Sequence, residues 1–300
     1  MPDLVTNHRQ LHTSEPGTIT RRSFLGTAGA LSIPWFLPRN LLAAARGRIP
    51  IAVQLYSVRD DCMKDFDAAL EQVAGMGFAG VEFAGYYGYQ GRGADLKKRL
   101  DALNLKAAGT HVGLNTLEGD ALKSTIEFHQ AIGCRFLIVP MDRAFVDPEK
   151  SKVLAETFNK VAERLKPLGM ACGYHNHKGE FNKDGDKTYW DLFAERTSRD
   201  VILQQDCGWT AAAGQDPVAY VRKYPGRSRT VHFKPTVLEG AVGKKAILGQ
   251  DSVDWAGVYA ACQSVGGTDW IVVEQETYPD NRPAMDCTRD SLEGLKKITG

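Results

Sequence analysis

The sequence predicts an α/β protein, a closed (β/α)₈ barrel preceded by a cleavable export signal. Short runs of β-forming residues alternate with stretches of helical periodicity eight times between residues 51 and 298. This alternation indicates parallel strands, and eight units in roughly 250 residues match the size of one such barrel. The alternative, an open doubly wound sheet, requires a glycine-rich phosphate turn after the first strand. The segment Ser57-Val58-Arg59-Asp60 lacks that composition, so the barrel is favoured.

The predicted strands are short and apolar, and most are rich in β-branched residues. The first run is Ile-Ala-Val-Gln-Leu-Tyr-Ser-Val, and its length and composition are typical of a buried strand. The same criterion predicts strands at 51–58, 80–84, 107–112, 136–140, 170–175, 201–206, 230–234 and 270–276.

The predicted helices carry apolar residues three or four positions apart. The first one places Phe66, Leu70 and Val73 on a single face. Several of these stretches stop at a glycine just before the next strand, which is typical of a left-handed helix cap. The predicted helices are 65–76, 94–103, 119–132, 148–167, 188–197, 216–223, 254–265 and 283–298.

The first 45 residues differ from the rest and are predicted to be a signal peptide. Arg21-Arg22 and Phe24-Leu25 precede a weakly apolar stretch that ends in Ala43-Ala44-Ala45. Basic, apolar and small residues in this order form the plan of an export signal. The arginine pair resembles the twin-arginine signal, which implies a periplasmic protein, the twin-arginine export machinery as a partner, and a barrel domain over 46–300.

Composition excludes several classes of protein. Thirty-seven basic and 36 acidic residues give a net charge of +1, which argues against a nucleic-acid partner. No apolar stretch reaches the roughly 18 residues of a membrane span, so no span is expected in the mature chain. The six cysteines show no paired motif, and we expect most of them to be buried thiols.

Polar residues cluster where the predicted strands end, and in this fold the active site lies at the carboxyl ends of the strands. Four of the five histidines in the barrel domain occupy such positions. The candidates, in strand order, are Gln54, Tyr56, Glu82, His111, His175, His177, Glu180, Asp206, His232, Lys234, Glu274 and Glu276.

Three of these residues, Asp206, His232 and Glu274, lie on successive strands and predict a metal site. Polar groups that point into a packed barrel are costly unless they are paired or bound to a metal. Imidazole nitrogens combined with carboxylates suit one divalent ion, such as manganese, cobalt, zinc, iron or magnesium. A buried network of salt bridges is the alternative.

Several motifs resemble those of a known superfamily. An acid on strand six, a histidine on seven and a glutamate on eight resemble the xylose-isomerase-like barrels of sugar isomerases and epimerases, over about residues 50–299. Residues 174–181 resemble the Tyr-His-Asn-His-x-x-Glu-Phe signature of an exported branch, as do Asp254-Trp255, Tyr224-Pro225-Gly226-Arg227 and Val273-Glu274-Gln275. This branch is known loosely as sugar phosphate isomerase/epimerase, and some of its members are implicated in lysing 3-keto-glycosides.

The chain departs from the superfamily pattern on strand five. Many members end this strand with Glu-Asn-His, in which the glutamate binds the metal, whereas this chain has His175 in that position. The fourth ligand is therefore either His175 or Glu180, and the sequence leaves both open.

The resemblance implies a metal-dependent sugar enzyme that works through an enediolate. We expect a 3-keto-glycoside 1,2-lyase, which performs β-elimination on a small, non-phosphorylated carbohydrate. A sugar isomerase or epimerase is the alternative, with Glu82 as a second base, and a non-catalytic periplasmic sugar-binding protein is a third, less favoured one.

The candidates near the metal are expected to act as base, as acid or as substrate contacts. Catalytic functions are expected of His177 or Glu180 as base and of Lys234 or His111 as acid. Lys234 could equally form a salt bridge with Glu274 or Glu276. Substrate contacts are expected from Gln54, Tyr56, Glu82, Trp209 and Glu276, with the two aromatic rings placed to stack on a sugar.

Overall fold

Eight parallel strands close into a barrel in a computed structural model that describes residues 47–300. Each strand pairs with its predecessor in the barrel, and the last pairs with the first. This architecture confirms the predicted (β/α)₈ barrel. The strands are Ile51–Gln54, Gly80–Phe83, Lys106–His111, Phe136–Val139, Ala171–His175, Ile202–Asp206, Thr230–Phe233 and Trp270–Val273.

Helices follow the strands around the barrel. The first long helix is capped by the Asp65 carboxylate, which accepts from the Ala68 N–H, and it ends at Gly77 in a left-handed conformation. The helices are Arg59–Lys64, Phe66–Met76, Gly93–Ala102, Ala121–Ile132, Lys150–Leu165, Tyr189–Arg196, Cys207–Ala212, Pro217–Lys223, Trp255–Ala261 and Ala284–Thr299.

The first and the last barrel strands are shorter than the sequence predicts. The first strand stops at Gln54 rather than at residue 58, because the Gln54 side chain accepts from Tyr56 N and starts a 3₁₀ turn over Leu55–Val58. The last strand ends at Val273, so Glu274 follows it directly.

Two short elements were not predicted from the sequence. The six-residue helix Cys207–Ala212 begins immediately after the sixth barrel strand. A short antiparallel ribbon, Lys183–Asp184 paired with Lys187–Thr188, stands in the loop after the fifth strand. Both are too short to show a periodic pattern.

The barrel interior changes from apolar to polar along its axis. Lower positions are filled by apolar side chains such as Phe136, Ile138 and Ile202, packed with Trp270. Ala52, Ala108 and Val272 form a further packed group beside the same Trp270 ring. Above these layers, towards the carboxyl ends of the strands, the inward positions are polar, so the apolar core supports a polar site at that end.

The cysteines fit the expected buried, unpaired state. All six are buried free thiols, and burial raises the pKa of Cys62, Cys134, Cys172 and Cys262 to about 12. Within residues 47–300 no helix has the length and apolarity needed to cross a membrane. The predicted signal peptide, residues 1–45, lies outside the described residues.

Candidate active site

Four side chains, one from each of the last four barrel strands or the residue that follows it, converge at the carboxyl end of the barrel. His175, Asp206, His232 and Glu274 each offer one ligand atom, and these four atoms all lie within 4.8 Å of one another. Strand register explains the convergence, because Asp206 pairs directly with His232, and His232 pairs with Val272, two positions before Glu274. All four side chains are buried.

Asp206 is oriented by the helix that begins after it. Its Oδ1 accepts from Trp209 N at 2.7 Å as the cap of Cys207–Ala212. Its Oδ2 is buried and has no hydrogen-bond partner within the described chain. Burial, with Glu274 nearby, raises the pKa of Asp206 to about 7, although Lys234 and His232 act in the opposite direction. A carboxylate oxygen in this state requires a cation or a proton.

His232 is oriented by a carboxylate beneath the cluster. Its Nε2 lies 2.5 Å from Glu82 Oε2, and its Nδ1 lies 3.2 Å from Glu274 Oε2. Burial alone would lower the pKa of His232, but Glu82 and Glu274 raise it to about 10. A ring that donates Nε2–H to a carboxylate presents Nδ1 to a metal, which is the common arrangement for metal-binding histidines.

His175 is oriented by Gln204. The Gln204 Oε1 lies 3.1 Å from His175 Nδ1 and 2.8 Å from His111 Nε2, while its Nε2 donates to Glu82 Oε1 at 2.7 Å. Burial, with His232 and His111 nearby, holds the pKa of His175 well below its usual range. The ring is therefore neutral, and with Nδ1 directed at Gln204 its Nε2 is available as a ligand.

The donor set fits one divalent cation. Two imidazole nitrogens and two carboxylate oxygens form a mixed set that suits first-row divalent ions. The buried Oδ2 of Asp206 has no hydrogen-bond partner in the described chain, so it is free to bind a cation. The outer hydrogen bonds of both histidines hold their rings in place, as metal ligands require. Glu274 fits as well, because His232 and Lys234 outweigh burial and hold its pKa well below its usual range.

Metal binding should release protons in a pH-dependent way. His232 has its pKa raised to about 10, so it carries a proton at neutral pH that a metal must displace from Nδ1. Asp206, with a pKa raised to about 7, adds a second proton at lower pH. We expect about one proton released per ion at about pH 8.5 and nearly two at about pH 6, so the apparent affinity rises with pH.

Calorimetric titration of metal-free protein with Mn²⁺ or Zn²⁺, in buffers of different ionisation enthalpy, measures this proton count. In the Glu82→Gln variant the count should fall, because the Glu82 carboxylate is a main cause of the raised pKa of His232. A count of zero throughout would contradict the proposed ligand role of His232.

Gly109 provides the space for Glu82. A Cβ at this position would lie 2.6 Å from Glu82 Oε1, which is fixed by Gln204. We expect Gly109→Ala to lower the free energy of unfolding by about 1–3 kcal/mol, the usual cost of overpacking a fixed interior. Urea denaturation measures this difference. The control is Gly75→Ala, in a helix with no heavy atom within 4 Å of the new Cβ, which should be neutral or stabilising. Equal losses in both variants would mean that the contact with Glu82 is not the cause.

A cavity of about 520 Å³, here called the main cavity, opens beside the four-residue cluster. His175 and Glu274 reach it from the cluster. Its other polar or aromatic lining residues are Tyr56, His111, His177, Trp209 and Glu276. Five residues predicted from separate strand ends therefore share one cavity with two of the predicted ligands.

His177 and Glu180, the two candidate bases, have different surroundings. The His177 Nδ1 is buried without a hydrogen-bond partner in the described chain, and burial lowers the pKa of His177 to about 4. Glu180 faces its own loop, where Oε2 accepts from His177 N at 2.9 Å and Oε1 accepts from the Tyr174 hydroxyl at 3.4 Å. This placement favours His177 as the base, and it leaves His175 as the strand-five member of the cluster.

Lys234 forms an ion pair with Glu276. Its Nζ also lies 4.0 Å from Glu274 Oε2 and 4.3 Å from the centroid of the Trp209 ring. A cation over an aromatic face is stabilised by the ring quadrupole. The salt bridge that the sequence offers as an alternative role for Lys234 is thus present. The same ammonium lies beside Trp209 and Glu276, which line the main cavity.

Gln54 and Glu82 lie below the main cavity rather than along its wall. Both are fully buried, and Gln54 Nε2 donates to Glu82 Oε2 at 2.9 Å. Their bonding partners are protein groups, so their geometry favours support of the cluster over the substrate contact expected from the sequence. Gln204, which links His111, His175 and Glu82, was not predicted, although it shares a face with Asp206 two positions later.

Comparison with known proteins identifies similar chains. Residues 70–298 match a protein family described as xylose isomerase-like TIM barrel. An inosose dehydratase of Clostridium beijerinckii is 24% identical over 272 residues, which cover 78% of this chain and 90% of the relative. The rhizopine catabolism protein MocC of Rhizobium meliloti is 23% identical over 270 residues, covering 77% of this chain and 81% of the relative.

Among solved structures, a sugar phosphate isomerase/epimerase from Parabacteroides distasonis aligns with a TM-score of 0.69 at 27% identity. The alignment covers 85% of this chain and 100% of the Parabacteroides chain. The family resemblance expected from the strand-end motifs is confirmed by these matches.

Proposed function

The chain belongs to the xylose isomerase-like TIM barrel family, and we propose that it is a 3-keto-glycoside 1,2-lyase using one divalent cation. The relatives that it matches include enzymes named inosose dehydratase and sugar phosphate isomerase/epimerase. One observation carries the proposal: the His175–Asp206–His232–Glu274 cluster adjoins a cavity that also contains the unpartnered, neutral His177.

The reaction is balanced without an oxidant or reductant. A ketone at carbon 3 acidifies the proton at carbon 2, and carbon 1 carries the glycosidic oxygen. Removal of that proton forms a double bond between carbons 1 and 2, the carbon 1–oxygen bond breaks, and the departing oxygen takes up a proton. The products are an unsaturated keto-sugar and the free aglycone.

His177 is the proposed base. It lines the main cavity, and its low pKa keeps the imidazole neutral at pH 7, so a lone pair is available to accept the carbon 2 proton. Lys234 is the proposed acid for the departing oxygen, since its ammonium lies beside Glu276 and Trp209, two residues that line the same cavity. His111 is the second candidate acid, although its Nε2 is already directed at Gln204 and Glu82.

His175, Asp206, His232 and Glu274 would hold the cation. When bound there, a divalent ion supplies a Lewis acid that stabilises negative charge on the ketone and neighbouring hydroxyl oxygens. Glu82, Gln204 and the Trp209 backbone N–H hold His232, His175 and Asp206 in position. Asp206 and His232 are fully buried, whereas His175 and Glu274 line the main cavity.

The lining of the main cavity supports a neutral sugar. Among residues 47–300, those that line it include no lysine or arginine, the side chains that usually bind a phosphate group, and the nearby Lys234 is already paired with Glu276. Tyr56 and Trp209 offer aromatic rings for stacking on the sugar. The dehydratase relatives support an elimination as well, because loss of water is itself an elimination.

A sugar isomerase or epimerase is the second candidate, supported by the name of the Parabacteroides neighbour. Epimerisation through two bases requires a second base on the opposite face of the sugar. Glu82, the candidate considered for it, is fully buried beneath His232 with both oxygens hydrogen-bonded. This favours the lyase.

The test uses metal-loaded barrel domain and a panel of ketoses and 3-keto-glycosides. A lyase should release the aglycone from the keto-glycosides and leave ketoses unchanged. Conversion of ketoses into isomers without aglycone release would support the second candidate, and binding of the sugars without any turnover would support a sugar-binding protein.

We further propose that the protein reaches the periplasm through the twin-arginine route. Changing Arg21 and Arg22 together to Lys should leave the precursor in the cytoplasm, because the export receptor recognises the arginine pair. Cell fractionation followed by immunoblotting measures the distribution. Unchanged export of the double variant would contradict twin-arginine export.

A further inference from the structure

A second cavity of about 540 Å³, here called the side cavity, adjoins the main cavity. Trp209 and Glu276 line both cavities, so these two side chains form a shared wall. Lys234, which pairs with Glu276 and lies over Trp209, lines the side cavity as well. The proposed acid therefore stands where the two cavities meet.

The walls of the side cavity are largely apolar and fixed. Pro235, Val237 and Pro279 contribute to its surface. The loop between Phe233 and Trp255 is tied down where Thr236 N donates to Asp251 Oδ2 at 2.9 Å. Similarly, Gln275 Nε2 donates to Ala246 O at 2.7 Å. These contacts form the cavity without a ligand, and a preformed apolar cavity suits a rigid apolar group.

The rim of the side cavity carries an unbalanced positive charge. Lys245 pairs with Asp280 at 2.8 Å, and Lys234 pairs with Glu276. Lys244 is exposed, and no carboxylate of the described residues lies within ion-pair distance of it. Apolar walls beneath one unpaired ammonium complement a ring that bears an acidic substituent.

We propose that the side cavity binds the aglycone of the substrate, an apolar ring carrying a carboxylate. This inference rests on the proposed lyase function, because only a two-part substrate would fill both cavities. The sugar then lies in the main cavity beside the four-residue cluster, the ring lies in the side cavity with its acid near Lys244, and the glycosidic oxygen lies at the shared wall beside Lys234.

Binding of small probes to metal-free protein tests the subsite without any turnover. The probes are phenol and 4-hydroxybenzoate, which share a ring and differ by a carboxylate, and inorganic phosphate as the competing anion. Ligand-observed NMR should show both ring compounds bound, with 4-hydroxybenzoate about twofold to fivefold tighter, as expected for one exposed ion pair. Inorganic phosphate should displace neither.

Two variants of lining residues sharpen the test. Lys244→Glu should remove the preference for 4-hydroxybenzoate and leave phenol binding unchanged. Ala212→Phe, which adds bulk to the side cavity alone, should weaken both ring compounds at least about tenfold. Lys98→Glu, a charge reversal at an exposed position on the helix Gly93–Ala102, is the matched control and should change nothing.

Ring probes that bind equally to all variants, or phosphate displacing 4-hydroxybenzoate where phenol does not bind, would overturn the inference. Because Lys244 is exposed, its variant should fold even if Ala212→Phe does not. Ring binding in the side cavity without cleavage of any keto-glycoside would refute the lyase and retain the subsite. Cleavage at the same rate whatever the aglycone would support the lyase and refute the subsite.

Discussion

Replacing Asp206 by alanine should remove most of the bound divalent ion and lower aglycone release at least about a thousandfold. The reason is the geometry of its carboxylate, in which Oδ1 caps a helix and Oδ2 points without a partner into the cluster. Metal content of purified protein, measured by mass spectrometry, and the rate of aglycone release are the two measurements. His232→Ala and Glu274→Ala should give the same loss, with the fold retained because the barrel core lies below the site.

The matched control for the loss of a helix cap is Asp216→Ala. Asp216 caps the next helix through Val218 N at 2.8 Å and does not belong to the cluster. It should lose about 1 kcal/mol of unfolding free energy and keep its metal. Stoichiometric metal in all three cluster variants would mean that these side chains form a structural polar network rather than a metal site.

Replacing His177 by glutamine should lower kcat by about 10²–10⁴-fold with little change in KM, the usual effect of losing a general base. The variant should retain its metal, because His177 lies outside the four-residue cluster. In the wild type kcat/KM should fall as the pH drops through about 4, where His177 becomes protonated, and it should be level above that pH as far as this group is concerned.

Chemical rescue provides the control for His177. In His177→Ala, added imidazole should restore part of the activity, which a purely structural role would not allow. Lys178→Ala changes the neighbouring exposed residue of the same loop and should leave the rate unchanged. Activity of His177→Gln within a few-fold of wild type would assign the base to another residue.

The fold was predictable because its signals are repeated and local. Eight periods of strand and helix leave few alternatives, and the glycine stops at Gly77 and Gly133 correspond to left-handed helix caps. The first strand was predicted four residues too long, since the hydrogen bond from Tyr56 N to the Gln54 side chain starts a turn in sequence that is still apolar. No periodicity records such a turn.

The candidate site was predictable in part because strand ends meet at one end of a barrel. Asp206, His232 and Glu274 could be grouped from strand order alone, and the structure brings them within 4.8 Å together with His175. The choice between His175 and Glu180 needed coordinates, because it depends on the direction of one loop carboxylate. The supporting roles of Glu82 and Gln204 depend on the stagger between strands, which the sequence does not specify.

The most direct test is the fate of a 3-keto-glycoside, such as the 4-carboxyphenyl glycoside, incubated with metal-loaded protein in deuterated water. We expect release of the aglycone and an unsaturated ketone, seen by mass spectrometry, with release absent from metal-free protein. Recovered glycoside that carries deuterium at carbon 2 and keeps its glycosidic bond, across several keto-sugars and without aglycone release, would contradict the lyase and leave the epimerase.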